Sequence, residues 1–143
     1  MTVDVERVYE VDAPVEDVWD LLADPALRAQ AISVVDDYEE RGEETIWHLR
    51  LPIPGIRRTV SVRTRDVERD PPRFVQFVGE SKLMTVQGEH ELTATEDGCR
   101  VRNRFVVDGR LPGIEGFFRR GIDDEIKRLI GGAEGQFTAR RVA

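Results

Sequence analysis

Cysteine and histidine are scarce in this chain, and their scarcity limits the chemistry available to it. The 143 residues include one cysteine, Cys99, and two histidines. A single cysteine rules out an internal disulfide bond, and so few thiols and imidazoles argue against a zinc site of the usual kind. Cys99 follows a predicted turn, where an ordinary structural residue is favoured over a catalytic thiol. We therefore predict neither a metal nor another cofactor.

Long apolar runs are also missing from the sequence. No run reaches the roughly 18 apolar residues that a membrane-spanning helix needs. The opening stretch MTVDVERVYEV is acidic and strand-like, and it lacks the basic and apolar regions of a secretion signal. These features predict a cytoplasmic protein.

Lysine is the third scarce residue, although the chain is rich in charge. Only Lys82 and Lys127 are lysines, and the other nineteen basic residues are arginines. The formal net charge of −7 argues against nucleic acid as a partner, because binding to the phosphate backbone depends on cationic side chains. High acid with little lysine is typical of proteins from salt-loving organisms or from GC-rich genomes, and this composition bears on solvent and codon use rather than on function.

One long apolar stripe near the end of the chain organises the predicted fold. Between Gly113 and about Arg140, apolar residues recur at steps of three or four, which predicts one amphipathic helix. Pro112-Gly113 marks its beginning, and Gly131-Gly132 is its weak point, because two glycines cost a helix about 2 kcal/mol relative to alanine. The stripe consists of Ile114, Phe118, Ile122, Ile126, Leu129, Ala133 and Phe137.

The preceding sequence alternates between apolar and polar residues in short runs, as half-buried strands do. A first strand, 3–11, leads into a helix opened by Asp12-Ala13-Pro14, and a second short helix is predicted at 25–32. Six further strands are predicted at 34–40, 45–51, 58–67, 74–78, 83–95 and 99–107. The resulting class is α+β, with seven antiparallel strands.

The last two predicted strands allow a test of strand pairing. Taking Asp97-Gly98 as a two-residue hairpin loop pairs Ala94 with Val101 and His90 with Phe105. One face of the hairpin is then largely apolar, and the other holds opposite charges, as a sheet with one buried face requires. The same parity places further apolar residues of the preceding strands on this inner face.

Residues 8–25, VYEVDAPVEDVWDLLADP, carry the most specific signature in the chain: Ala13-Pro14, Val18-Trp19, Leu21-Leu22 and Asp24 directly after a strand. Together with the element order, this segment resembles the START-like superfamily, also called SRPBCC. Its members include polyketide cyclases and dehydrases and a group of proteins related to an accessory subunit of carbon monoxide dehydrogenase. The resemblance covers nearly the whole chain and implies a single START-like domain at 1–143.

The resemblance implies a helix-grip fold, in which a curved seven-stranded antiparallel sheet wraps a long C-terminal helix and two short helices follow strand one. It also implies a cavity between sheet and helix that binds a hydrophobic small molecule or lipid. A minority of members are enzymes, and the superfamily has no shared catalytic motif to transfer. We interpret the signature at 13–24 as structural.

Polar residues on the predicted inner face are the candidates for ligand recognition, because binding pockets are apolar with a few placed polar groups. Arg7 is expected to reach Asp36 or Asn103, either to close the end of the sheet or to bind an anionic head group with Asn103. His90 is either a hydrogen-bonded core residue or a pocket donor. The predicted ligand-binding set is Arg7, Tyr38, Trp47, Phe77, His90, Asn103, Phe105, Phe118 and Ile122.

Two alternatives to a binding or transfer protein remain open. An enzyme of the polyketide cyclase or dehydrase type would need an internal acid or base, and His90 with Asp66 or Glu125 is the available supply. An interaction module would instead use the apolar loops, which are predicted to cluster at one end of the sheet. There they either pack on one another, form a rim or gate at the cavity mouth, or contact a membrane or a protein partner. No basic membrane-binding patch is evident, which counts against a membrane. The loop residues are Ile53, Ile56, Leu111 and Ile114.

Overall fold

An antiparallel sheet of eight strands, with helices packed on one face, forms the protein in a computed structural model that describes residues 2–132 and 135–143. The strand order across the sheet is β2-β3-β4-β5-β6-β7-β1-β8. The elements are β1 Thr2–Val11, α1 Val15–Ala23, α2 Pro25–Ala31, β2 Val35–Arg41, β3 Glu44–Leu49, β4 Val60–Asp70, β5 Phe74–Glu80, β6 Met84–Ala94, β7 Cys99–Gly109, α3 Pro112–Gly116, a π-helical segment Phe117–Gly121, α4 Ile122–Gly131 and β8 Ala139–Arg141. This arrangement is consistent with the expected helix-grip fold.

The two short helices begin and end where the sequence signals predicted. Pro14 occupies the N-cap of α1, and Val18 and Leu22 bury the apolar face of that helix. The Asp24 side chain accepts a hydrogen bond of 2.9 Å from the backbone N–H of Ala26, and Pro25 opens α2. Asp24 thus ends one helix and caps the next, so the chain changes direction between α1 and α2 at this residue.

The β6–β7 hairpin has the predicted faces but not the predicted partners. Ala94 pairs with Cys99 and His90 with Asn103, two residues away from the expected register. The backbone N–H of Thr95 donates to the carbonyl of Gly98 at 3.0 Å, so the turn lies one residue earlier than expected. The displacement is even, and every side chain therefore keeps its face.

Gly98 has a different role from the one assigned to it in the hairpin loop. A Cβ at this position would overlap the carbonyl oxygen of Val11 and would lie 2.9 Å from the backbone nitrogen of Ala13. The glycine therefore permits a close approach between the start of β7 and the end of β1. A sequence pattern confined to one hairpin cannot report this long-range contact.

The prediction of one helix from Gly113 to about Arg140 was wrong in its length and regularity. The helical run covers 112–131, includes the π-helical segment, and stops at Gly132, whose φ of 86° is outside the helical range. Phe137 lies in the following connection, where its N–H donates to the carbonyl of Gly131 at 2.9 Å. Ala133, also assigned to the stripe, lies outside the described residues.

An eighth strand replaces the predicted end of that helix. β8 pairs with β1 through Tyr9–Arg141, Glu10–Arg140 and Val11–Ala139. The strand count of seven was therefore too low. The pair of glycines at 131–132 breaks the helix, and the chain after it is long enough to return to the open edge of β1, which would otherwise present unpaired backbone groups.

The core lies between the inner face of the sheet and the helices. Along β6 and β7, alternate residues are buried, and the buried face of α4 includes Ile126, Leu129 and Ile130. No helix in 2–132 and 135–143 is long and apolar enough to cross a membrane. Within those same ranges, no three histidine, cysteine, aspartate or glutamate side chains are grouped so that they would hold a metal ion.

Candidate functional site

A cavity of about 450 Å³ separates the helices from the inner face of the sheet. Its walls are mainly aromatic and aliphatic side chains from α1, α4, the π-helical segment and strands β3 to β7. Five residues of the predicted ligand-binding set line it: Trp47, Phe77, Phe105, Phe118 and Ile122. A volume of this size falls in the range of pockets that take up small molecules.

The cavity reaches solvent beside the turn between β2 and β3. The exposed members of its lining come from the end of β2, the turn that follows it and the second half of β4: Glu40, Gly42, Glu43, Arg65, Asp66 and Arg69. Charged groups therefore collect at the opening, while the interior is apolar. An amphipathic molecule matches this gradient from rim to interior.

The apolar loops lie away from this opening. The cavity lining contains none of Ile53, Ile56, Leu111 and Ile114. Ile53 and Ile114 are 7% and 1% exposed, and a Cβ on Gly113 would lie 2.5 Å from Ile53, so the two loops pack against each other. They sit at the other end of β3 from the 42–43 turn, so the structure agrees with the expectation that the loops pack on one another, and not with a rim around this opening. Leu111, which is 37% exposed, is the more accessible of these side chains.

Tyr38 also lies outside the cavity lining, although it contacts a residue that belongs to it. Its ring stacks on Trp47, with the ring centroids 5.7 Å apart. The Trp47 indole N–H donates to the hydroxyl of Thr64 at 2.9 Å. Stacking from one side and a hydrogen bond across the strands together fix the plane of the indole, which forms one wall of the cavity.

His90 and Asn103 form a fully buried polar pair behind the cavity wall. Nδ1 of His90 lies 2.7 Å from Oδ1 of Asn103, whose amide in turn donates to the carbonyls of Arg7 and Val101 at 3.3 and 3.4 Å. Because the amide oxygen is an acceptor, Nδ1 carries the proton and Nε2 is left with its lone pair. Nε2 is buried without a hydrogen-bond partner among the described residues.

Burial decides the protonation state of this imidazole. Desolvation, with a smaller contribution from the charge of Arg28, lowers the pKa of His90 to about 3, and the hydrogen bond to Asn103 opposes the shift. The ring contacts Phe77 and Phe105, with centroids 6.1 and 5.8 Å away, and these two rings, not the imidazole, line the cavity. His90 is therefore neutral at physiological pH and separated from the cavity space.

Arg7 faces the C-terminal helix instead of the predicted partners. Its Nε lies 3.5 Å from Oδ2 of Asp123. The same oxygen accepts from Arg141 at 3.1 Å, and Oδ1 of Asp123 accepts from the hydroxyl of Tyr9. Asp36, one expected partner, is exposed on β2, and the Asn103 amide contacts only the Arg7 backbone. Strand parity cannot report where α4 places a carboxylate, which is why the side-chain partner was assigned wrongly.

The three residues of the enzyme alternative are not brought together. Asp66 and Glu125 line the cavity, and His90 does not. Glu125 accepts hydrogen bonds from the backbone N–H of Ser33, at 2.8 Å, and from its hydroxyl, while Asp66 accepts from Arg69 at 3.3 Å. Among the hydrogen bonds of the described residues, none joins any two of His90, Asp66 and Glu125.

Arg28 is a charged residue of the cavity wall that the predicted ligand-binding set did not include. It projects from α2, its Nη1 donates to the carbonyl of Leu22 at 2.9 Å, and its buried Nε has no partner. The guanidinium carbon lies 5.6 Å from the ring centroid of Phe77 and 5.9 Å from that of Trp47. Burial lowers its pKa to about 10, against an opposing effect of Asp66.

A signal for Arg28 was present in the sequence. The residue lies three positions before Ala31, the buried residue of α2, so the two share one face of that helix. A seven-residue helix gives too few apolar positions to define its buried face by pattern alone, and an arginine is usually solvent-exposed. The way α2 packs beside the cavity decides that Arg28 faces the cavity and not the solvent.

Residues 2–135 match the protein family described as "Polyketide cyclase / dehydrase and lipid transport". The chain belongs to this family. It is a START-like protein of the SRPBCC type, as the signature at 13–24 had indicated. A comparison with curated proteins gives no match.

Solved structures of the same fold include proteins of several bacteria. A conserved protein from Geobacillus kaustophilus superposes with a TM-score of 0.74 at 16% identity, covering 96% of this chain and 99% of that one. The Zhui aromatase/cyclase from Streptomyces sp. R1128 gives 0.72 at 18% identity, covering 94% of each chain. A protein from Thermus thermophilus, TTHA0849, gives 0.65 at 19% identity, covering 91% of this chain and 94% of that one. At these identities the START-like protein shares a fold with its neighbours, and the superpositions do not extend to an activity.

Proposed function

We propose that this START-like protein binds, and carries, a hydrophobic or amphipathic small molecule in the cavity between its sheet and its C-terminal helix. The observation that carries the proposal is the cavity of about 450 Å³ with mainly aromatic and aliphatic walls. Native cores are packed with few voids larger than a water molecule, so an apolar space of this size, open at one end, is typical of a ligand-binding pocket and not of ordinary core packing.

The position of the aromatic rings supports the same function. Phe105 contacts Phe77 and Phe118 with ring centroids 6.4 and 6.3 Å apart, so rings from two strands and the π-helical segment form a continuous wall. Offset and edge-to-face ring contacts of this kind leave flat surfaces available to a ligand. The body of the ligand would lie along this wall, and its polar end would face the charged opening or Arg28.

The cyclase or dehydrase alternative receives less support from the geometry. A general base must come within hydrogen-bond reach of the proton that it removes. The imidazole of His90 lies behind Phe77 and Phe105, and Glu125 is held by Ser33. An enzymatic role would therefore rest on Asp66 at the rim. The interaction-module alternative would rest on Leu111, since Ile53 and Ile114 are buried.

Native mass spectrometry of the freshly purified protein, followed by denaturing extraction, tests the proposal. We expect a co-purifying hydrophobic molecule that is released on denaturation. A clean unliganded mass, together with no thermal shift on adding fatty acids, isoprenoids and aromatic polyketides, would contradict it.

A matched pair of variants controls for binding elsewhere on the surface. Val86→Trp places a large side chain on the cavity wall, and Val106→Trp places the same side chain on the outer face of the neighbouring strand. We expect the first to lose the co-purifying molecule and the second to keep it. Equal retention in both variants would place the molecule outside the cavity and would count against the proposal.

A further inference from the structure

Arg28 brings an unsatisfied positive charge to the cavity wall. Its guanidinium stands against the rings of Trp47 and Phe77, and its Nε is buried with no hydrogen-bond partner. Its one hydrogen bond to the described chain runs from Nη1 to the carbonyl of Leu22, in the last turn of α1. That bond caps the negative end of α1 and leaves the rest of the guanidinium unused.

Four carboxylates line the cavity with Arg28: Glu40 and Glu43 are exposed at the opening, and the other two have partners of their own. Asp66 pairs with Arg69 at 3.3 Å on the rim, and Glu125 is bonded to Ser33. Within 2–132 and 135–143, Arg28 forms no ion pair, although the charge of Asp66 reaches it. Arg28 as a whole is half-buried, but its Nε is fully buried, and a buried cationic group is normally paired because the removal of charge from water is costly. The fold therefore leaves a position open for an anion inside an otherwise apolar space.

We propose that Arg28 is the head-group receptor of this cavity and that the ligand is a hydrophobic carboxylate. This inference rests on the proposed ligand-binding function and narrows it to one chemical class. A carboxylate would accept hydrogen bonds from the unused guanidinium N–H groups, for which its planar geometry suits it. The apolar body would then extend from Trp47 and Phe77 towards the wall formed by Phe105 and Phe118.

The surroundings of Arg28 make the position selective for charge. The flanking rings shield part of the guanidinium from water and lower the local dielectric, so an anion gains more there than at the solvated rim, where Glu40 and Glu43 are exposed. A neutral analogue of the same shape would fill the same space but would leave the charge of Arg28 uncompensated. The difference in affinity between the carboxylate and its neutral analogue therefore measures the contribution of Arg28.

Isothermal titration at pH 8 with two isosteric probe pairs tests this inference: dodecanoate against dodecanamide, and 2-naphthoate against 2-naphthamide. We expect wild-type protein to bind the carboxylate of at least one pair at least tenfold more tightly than its amide. Arg28→Met should reduce this ratio to about one. Arg128→Met, which removes the same charge from the exposed face of α4, should keep the wild-type ratio.

Arg28→Lys provides the variant that keeps the charge. It should retain part of the preference for carboxylate, because an ammonium group supplies charge but lacks the planar array of donors. If Arg28→Met shows no cooperative thermal transition, Arg28→Lys alone carries the test, and a preference equal to that of the wild type would overturn the inference.

The outcomes separate this inference from the function on which it rests. Two results would overturn the role of Arg28: equally tight binding of both members of a pair, or a preference for carboxylate that survives in Arg28→Met. Either result would still be compatible with a protein that binds hydrophobic ligands without recognising a carboxylate. Binding of none of the four probes, combined with the absence of a co-purifying molecule, would overturn both.

Discussion

Gly88 is the position at which the packing of the cavity wall can be tested most directly. It lies on the inner face of β6, directly across from Phe77 on one neighbouring strand and from Phe105 on the other. A Cβ at Gly88 would overlap Cζ and Cε1 of Phe77 and would lie 3.0 Å from Cε2. The contact involves the outer edge of a rigid aromatic ring, which cannot fold away as the end of a flexible chain can. Gly88→Ala therefore forces Phe77 to move.

The size of the effect follows from this geometry. The ring has to move by about 1 Å or more to restore ordinary carbon–carbon contact at ~3.5–4.0 Å. Overpacking of this kind costs about 1–3 kcal/mol, and the reduced entropy of the unfolded chain returns about 0.4–1 kcal/mol. We expect a net destabilisation of about 1–2 kcal/mol, which lowers Tm by about 3–6 °C in a domain of this size.

Thermal and urea unfolding would measure the change, with Gly116→Ala as the matched control. At Gly116, within α3, only the end of the Arg120 side chain stands in the way, so alanine should raise the free energy of unfolding by about 0.5–1 kcal/mol. Phe77→Leu should rescue part of the loss in Gly88→Ala, and a double-mutant cycle would show the coupling. A Tm for Gly88→Ala at or above that of the wild type, or additive effects in the cycle, would refute the reasoning.

Three further predictions follow from the buried polar groups. The pKa of His90, about 3 when folded and about 6.5 when unfolded, means that the unfolded chain binds the proton first, so the free energy of unfolding should fall as pH drops from about 6.5 towards 3. Between pH 7 and pH 5, the free energy of unfolding measured in urea should fall by about 2 kcal/mol less in His90→Gln than in the wild type or in His48→Gln. Equal falls in all three proteins would contradict the conclusion that His90 is neutral when folded. Cys99 is fully buried, and burial raises its pKa to about 11. A thiol reagent at pH 8 should therefore label it at least a hundredfold more slowly in the folded protein than in urea. Rapid labelling of the folded protein would contradict the buried position of Cys99. Asp123→Ala should destabilise the protein by about 1–3 kcal/mol, because it removes a carboxylate that binds the hydroxyl of the buried Tyr9 and two arginines. Asp124→Ala, at an exposed position of the same helix, should stay within about 0.5 kcal/mol of the wild type. Equal destabilisation by the two substitutions would argue against the cluster around Asp123.

Local patterns in the sequence determined which residues face inward. The alternation along β6 and β7 was assigned to the correct faces even though the register was displaced, because a displacement of two residues preserves the side of the sheet. The start of α2 at Pro25 was equally visible, since the effect of a proline on backbone angles is local. Five aromatic and aliphatic members of the predicted cavity wall followed from the periodicity of their own strands and helix.

The tertiary structure alone decided which polar groups meet and where the cavity opens. Arg28 reaches the cavity because α2 docks against the sheet, and Arg7 meets Asp123 because α4 crosses β1. β8 exists because the helix stops at Gly132 and the chain returns to β1. These contacts join residues far apart in sequence, and their geometry is fixed by how whole elements pack. The periodicity of a segment reports its own buried side, and it carries no information on the element that will cover it.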